Sequence, residues 1–275
     1  MAARRIKLTV AYEGTHFHGW QKQHPPDEPP LRTAQEVLEK AVREVVREPV
    51  SVHGASRTDS GVHARGQVAA FESGTAIEVE RLPAAISSRL PEDIRVMSAE
   101  EVSPEFNVIG DVEAKGYRYQ VAWGRREAQD RPLFDRHWVT WVPYNLNLAD
   151  MQQAADDLTG AHDFASFTRL NHGRESTVRR VQACQVVPDA DRVLHIDVEG
   201  EGFLWNMVRI IAGTLVDIGA GRRSADSIPE ILRQCDRAAA GPTMPPEGLC
   251  LQWIRYGPPG CGRQRQLADA RAKGD

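Results

Sequence analysis

One succession of local patterns occurs twice along this chain, and that duplication constrains its fold more than any other feature. Ile6, Leu8, Val10 and Tyr12 alternate with Lys7, Thr9 and Ala11, as in a strand with one buried face. A helix follows, opened by Thr33-Ala34-Gln35-Glu36, where a hydroxyl and a carboxylate three residues on can satisfy two backbone N–H groups left free at a helix start. Its apolar stripe is Ala34, Val37, Leu38, Ala41, Val42, Val45 and Val46. A strand-like run at 49–55, a polar turn at 56–64, a strand at 66–71, a short helix around 80–90 and a strand around 94–99 complete the order βαββαβ, the split-βαβ pattern.

The second half repeats these types: a strand at 117–123, a helix capped at Asn147 and running to 158, strands at 178–187 and 193–199, a helix at 204–218 and a strand at 249–256. Residues 224–236 read as an added helix. The duplication predicts an α+β protein of two similar split-βαβ, ferredoxin-like halves with mainly antiparallel sheet. A cleft between the halves is then the natural place for a site. We expect an N-terminal α/β domain at 1–103 carrying the polar turn, a C-terminal α/β domain at 104–256 completing the cleft, and a disordered tail at 257–275. Residues 25–30 form a proline-rich acidic insert.

At 275 residues and 41% hydrophobic, the chain can fill two cores. No apolar run reaches the length of a membrane span, and residues 1–5 lead straight into a strand, so the expectation is a cytoplasmic protein with no membrane partner. The cysteines at 184, 235, 250 and 261 form no CxxC and no metal-type pairing with histidine, which argues against disulfides and zinc. His16 and His18 fit strand-end packing at least as well as a metal. Net charge is -4, unlike most nucleic-acid binders, yet only five of the 34 basic residues are lysine. Arginines cluster at 125/126, 179/180 and 222/223, with Arg169 near Arg174. Forked guanidinium groups bind phosphate and stack on bases, so such strips are compatible with RNA, although a coding bias toward arginine would produce them too.

The residue pattern with chemical promise is Ser56-Arg57-Thr58-Asp59-Ser60-Gly61-Val62-His63-Ala64. It places one carboxylate, Asp59, in a polar turn beside a guanidinium that favours its charged form, making it a candidate nucleophile or base. Taken alone, Thr-Asp-Ser-Gly is better explained by an aspartate bonding its own turn. In the second half, Leu204 to Val216 is apolar almost all round, with Arg209 as the only charge before Asp217. Positions three and four away hold Trp205, Asn206, Ala212 and Gly213, so no carboxylate of its own helix can pair with Arg209. Asp59 is one candidate partner; reaching out to solvent or binding a phosphate are the alternatives.

Residues 52–64 closely resemble the catalytic-aspartate motif of the tRNA pseudouridine synthase A family, with Ser56 and Ser60 standing where the family usually has Gly and Ala. Phe203-Leu204-Trp205-Asn206-Met207-Val208-Arg209 resembles the family's second signature, and Lys115-Gly116-Tyr117-Arg118-Tyr119 a third. Glu247-Gly248-Leu249-Cys250-Leu251 is similar to a fourth, with Cys250 where tyrosine is common. Tyr12 to Gln21 and His162 to Phe167 match as well, so the resemblance runs from about Lys7 to Tyr256.

The resemblance implies a pseudouridine synthase fold and conversion of uridine to pseudouridine in the anticodon stem-loop of tRNA, at the family's positions 38–40. It implies no cofactor and a homodimer as working form. It implies Asp59 as catalytic nucleophile or base, Arg209 as its ion-pair partner, and Tyr117 as base-stacking residue with a hydroxyl available for proton transfer. Arg57 and Leu249 are implied as further substrate contacts. Two rivals remain: a non-catalytic RNA-binding protein with two ferredoxin-like domains, and a glycoside or nucleoside hydrolase, which normally needs a second carboxylate.

Overall fold

The longer strands and helices follow the order the periodicities predict, in a computed structural model that describes residues 3–23, 29–124, 131–169, 176–190 and 192–262. Arg125, Arg126, Arg174, most of the 25–30 insert and residues 263–275 lie outside the described residues. The architecture is α+β with mainly antiparallel sheet. The chain divides into two compact units: the first runs as far as Glu113 and resumes at Leu251, and the second covers Ala114–Cys250.

In the first unit β1 (Arg4–Tyr12) lies between β3 (His63–Ser73) and β4 (Ile94–Val102), antiparallel to both. The two-residue β2 (His53–Gly54) pairs with β3, giving the order β4-β1-β3-β2 of a split-βαβ unit, and β10 (Leu249–Tyr256) also lies beside β3. One sheet face buries Ile6, Leu8, Val10 and Tyr12, the alternating set of β1. Helix α1 (Ala34–Val46) buries Ala34, Leu38, Ala41, Val42 and Val46, and α2 (Leu82–Ser87) buries Leu82 and Ile86. The Thr33 side chain caps α1 by accepting from the backbone N–H of Glu36. A second core forms around Ala55, Val68, Ala70, Val108 and Val112, with Phe106, Ile254 and Tyr256 packed on it. Asp111 ties the end of this unit together: its side chain accepts from the backbone N–H of Asn107 at 2.7 Å and of Gly260 at 2.5 Å.

The run expected as a strand at 49–55 is reduced to β2 because side chains of α1 take the backbone groups that would have built a ladder. Val52 N–H donates to Glu39 Oε2 at 3.0 Å, and Val52 O accepts from Gln35 Nε2 at 2.8 Å. Gln35 and Glu39 are accordingly buried in a stripe that periodicity assigns to apolar residues alone.

In the second unit β5 (Val112–Trp123), β9 (Val193–Gly200), β8 (Val178–Ala190) and β7 (Gly160–Asp163) follow one another as antiparallel neighbours, and β6 (Thr140–Val142) runs parallel to the end of β5. Strands β6 and β7 are too short for periodicity to reveal them. Helix α3 (Leu148–Asp156) is capped by the Asn147 side chain and packs on α4 (Met207–Gly219), where Gly219 admits the Met151 sulfur so closely that a Cβ would stand 2.6 Å from it. Helix α5 (Ile228–Gln234) is the expected addition, shorter than its 224–236 pattern. Helix α4 starts at Met207 rather than 204 because Asn206 takes a left-handed conformation, φ 61° and ψ 5°.

Candidate active site

Asp59 sits half-buried in the loop between β2 and β3, with Arg57 exposed beside it. The loop is held by backbone and side-chain bonds along its length rather than by regular structure. Tyr12, at the end of β1, brings its hydroxyl 2.7 Å from Thr58 Oγ1 in a buried contact. Trp20 N–H donates to Thr58 O at 3.1 Å, and Phe17 O accepts from Gly61 N at 3.2 Å and from Ser60 Oγ at 3.3 Å. Within the loop, Val62 N–H closes on Asp59 O at 3.1 Å. On the other side of Asp59, the fully buried Gln67 accepts from Ser56 N at 3.2 Å and donates to Ser56 O at 2.6 Å. Segment 12–20 and strand β3 thus grip the loop immediately before and after the carboxylate.

Two glycines make that grip sterically possible. A Cβ at Gly14 would stand 2.1 Å from Val62 O, and one at Gly19, whose φ is +84°, 2.6 Å from Thr58 O. Gly14 N–H also donates to Nδ1 of the buried His63 at 3.0 Å.

The grip is itself anchored on α1. Ala34 N–H donates to Gly19 O at 3.1 Å, Gln35 N–H to Trp20 O at 3.0 Å, and Lys22 N–H to Gln35 Oε1 at 2.9 Å. Glu39 then gathers Lys22 Nζ at 2.9 Å on both carboxylate oxygens and Arg43 at 2.7 Å. Burial raises the Glu39 pKa, but the Val52 N–H, Lys22 and Arg43 outweigh it and hold the carboxyl below its ordinary value. The indole of Trp20 is buried against Gly54, where a Cβ would meet the ring at 2.2 Å, and stacks on Tyr12 with centroids 6.1 Å apart.

In the second unit Tyr117 lies on β5 opposite Val198 of β9, 7% exposed, and its ring meets Phe203 edge-on at 5.2 Å and 87°. Arg209, in the first turns of α4, donates from Nη1 to Asn206 Oδ1 at 3.0 Å and from Nε to Met244 O at 2.7 Å. The left-handed turn at Asn206 therefore does two things: it starts the helix and presents the amide oxygen to the guanidinium. Met244 N–H returns a bond to Arg209 O at 3.2 Å. Residues 241–244 approach α4 this closely because Gly213 has no side chain, a Cβ there standing 1.9 Å from Pro242 O. Thr214 Oγ1 then accepts from Gly241 N at 2.9 Å while donating to Ile210 O at 2.8 Å.

Leu249, 6% exposed, opens β10 just beyond this strap. Its position is set by the neighbouring Gly248, which packs on the Tyr119 ring, and by Pro245 O, which accepts from the Tyr119 hydroxyl at 2.7 Å. That hydroxyl also lies 2.7 Å from Thr140 Oγ1. Burial pushes the Tyr119 pKa well above the ordinary phenol range, so it remains a donor.

Arg57 and Asp59 thus share one loop of the first unit. Tyr117, Arg209 and Leu249 belong to the second, where segment 203–209 and strap 241–249 join them. Sequence reasoning missed Tyr12, Thr58, Gln67, Asn206 and Met244, which position those residues. Gly14, Gly19 and Gly213 are the available sequence signal, since a glycine at a loop end or inside an apolar helix commonly marks a close approach. Among the described residues no group of three His, Cys, Asp or Glu side chains is arranged to hold a metal ion, and no helix is long and apolar enough to cross a membrane.

A family model described as tRNA pseudouridine synthase matches residues 8–109 and 154–257. Relatives named tRNA pseudouridine synthase A include one from Geobacter sulfurreducens, 42% identical, one from a Thermoanaerobacter species, 41% identical, and one from Geotalea uraniireducens, 40% identical. Each alignment spans 92% of this chain and 100% of the relative. The chain belongs to the tRNA pseudouridine synthase family.

Proposed function

We propose that Asp59 is the carboxylate through which this tRNA uridine isomerase works. Family membership establishes the class of reaction; the assignment of residues is our reading. Uridine and pseudouridine have the same atoms. The N1–C1′ bond breaks, C5 replaces N1 on the ribose, and the C5 proton is exchanged for one on N1, so the sum requires no oxidant, reductant or group donor. One carboxylate suffices, acting as nucleophile at C1′ or uracil C6, or as base at C2′.

The observation that carries this assignment is the hold on the Asp59 loop. Ser56, Thr58, Ser60 and Gly61 are each bonded to Gln67 or to segment 12–20, while the carboxylate's own residue stays half-exposed. Preorganisation of this kind is what a reacting group needs and what a surface aspartate does not. In this reading Arg209 supplies the counter-charge for Asp59, supported by a helix with no carboxylate within one turn of it. Tyr117 stacks on the extruded uracil, and its hydroxyl serves the late transfer of the C5 proton. Leu249 closes against the base, and Arg57 engages the displaced nucleotide's phosphate. The target uridines are those at positions 38–40 of the anticodon arm. The enzyme works in the cytoplasm as a homodimer, without cofactor.

Asp59→Asn keeps the shape of the side chain and removes its charge. Incubation with uridine-labelled anticodon stem-loop followed by nucleoside analysis should show turnover reduced by at least about a thousandfold, with tRNA affinity within threefold of wild type. Turnover within tenfold of wild type would remove Asp59 from the chemistry.

A further inference from the structure

Trp205 is 47% exposed in the second unit, in a turn whose neighbours are buried or tied down. Indole is the largest apolar side chain, and leaving it in water forfeits burial worth about 2 kcal/mol or more. The turn nevertheless fixes it there. Its carbonyl accepts from the buried Thr168 Oγ1 at 3.2 Å, the following Asn206 is held in the left-handed region, and Asn206 Oδ1 is bonded to Arg209. The exposed Arg169, next to Thr168, lays its guanidinium over the indole with 5.0 Å to the ring centroid.

Two positions upstream, Phe203 packs on Tyr117. The same short segment thus presents an exposed stacking surface and carries groups already assigned to the reaction. A flat aromatic face with a guanidinium beside it suits one ligand chemistry well: an unpaired nucleobase stacked on the ring, with its phosphate paired to the arginine.

We propose that Trp205 and Arg169 form a nucleobase-stacking subsite, taking an unpaired nucleotide of the tRNA that neighbours the target uridine. This rests on tRNA as the substrate but not on Asp59 as the acting group. The subsite fixes the register of the RNA by sequence-tolerant stacking rather than by base-edge hydrogen bonds, so it serves affinity and placement rather than bond making.

The test measures dissociation constants for full-length unmodified tRNA, which do not depend on turnover and so stand whatever Asp59→Asn shows. Trp205→Ala should weaken binding at least about tenfold, the scale of one lost base stack. Trp205→Phe should remain within threefold, and Arg169→Ala should fall between them with a shallower salt dependence. Because Trp205 is exposed, each variant should melt close to wild type.

A series of tRNAs carrying single abasic nucleotides in the anticodon arm then separates stacking from structure. One abasic position should weaken wild type about tenfold and leave Trp205→Ala no weaker than it already was. Binding by Trp205→Ala within twofold of wild type, or abasic penalties equal in wild type and Trp205→Ala at every position, would overturn the proposal. If Trp205→Ala does not fold, the abasic series on wild type and Arg169→Ala decides in the same way.

Discussion

Glu39 shows how far the hold on Asp59 extends beyond the loop. Its carboxylate is buried in α1, yet through Lys22 and the Val52 N–H it fixes the segment carrying Trp20 and the strand-like run leading into the loop. Glu39→Gln keeps the size but loses the charge, and with it the strength of two ion pairs. Both cations are partly exposed, so the expected loss is modest, about 1–3 kcal/mol at pH 7 by chemical denaturation. The pH dependence carries a sign. The folded pKa lies below the ordinary 4.5, so the stabilisation is fully present above that value and disappears as pH falls through the folded value. The gap between wild type and Glu39→Gln should therefore be constant from neutral pH down to about 5 and close as pH falls through the lowered folded value. A gap that widened on acidification would show that Glu39 is not held ionised. Sequence periodicity marked Val37 and Val45 as stripe residues beside Glu39 but gave no sign that a carboxylate lay within that stripe. Arg43 lies one turn away on the same helix, but Lys22 and the Val52 N–H, the partners that tie Glu39 to other segments, fall outside a local window.

Among elements, α4 depends most on one missing side chain. Gly213 lets residues 241–244 lie against the helix, and that strap supplies the Met244 carbonyl bonded to Arg209. Gly213→Ala places a methyl 1.9 Å from Pro242 O, where backbone rather than a flexible side chain must move. Helix propensity favours alanine by about 1 kcal/mol, but the overpacking costs about 1–3 kcal/mol or more, so the net effect is destabilising. Turnover should fall further than stability predicts, because displacing the strap shifts the guanidinium; a thermal melt paired with single-turnover kinetics separates the two. A variant as stable and active as wild type would show that the approach is not needed.

Elements with long periodic patterns were legible in advance: β1, α1, α3, β8, β9 and α4 stand where alternation or a 3.6-residue stripe put them. Cap chemistry at Thr33 and Asn147 located two helix starts. What was not legible depends on competition between partners distant in sequence. Residues 49–55 carry strand-like side chains but lose most of their ladder to Gln35 and Glu39, and α4 starts late because Asn206 serves Arg209. For the site itself, Arg209 stood out as the one charge of an apolar run, whereas Asp59 was singled out by the resemblance of residues 52–64 to a family motif rather than by its local pattern. Tyr12 did not, since it completes the apolar alternation of β1 and only its hydroxyl reaches Thr58.

At the scale of the whole molecule, the two units differ in how the chain enters them. Among the described residues the second is one continuous stretch, whereas the first needs β10 for the strand beside β3 and for Ile254 and Tyr256, which pack on its second core. Ending the chain after Gly248 removes these and the contacts of residues 257–262 with Asp111 and Gly110. Losing two large, partly buried side chains together with the strand that carries them removes a sizeable part of the about 5–15 kcal/mol that holds an ordinary domain folded. Hydrogen exchange on that truncation should show protection lost in β1 and β3 but retained in β8 and β9. Protection retained throughout would mean that β10 is dispensable to the first unit.

The discontinuity also bears on synthesis. Residues up to 113 leave the ribosome first but lack their partner strand until β10 has been made, a wait of roughly 7–28 s at ordinary elongation rates. Over that interval the part of the β3 edge not covered by the two-residue β2 is exposed, the kind of surface that invites pairing with a neighbouring chain. The second unit, whose described residues end at Cys250, is synthesised before the last strand of the first. The unit that carries Asp59 therefore receives its last strand only when synthesis of the chain is nearly complete.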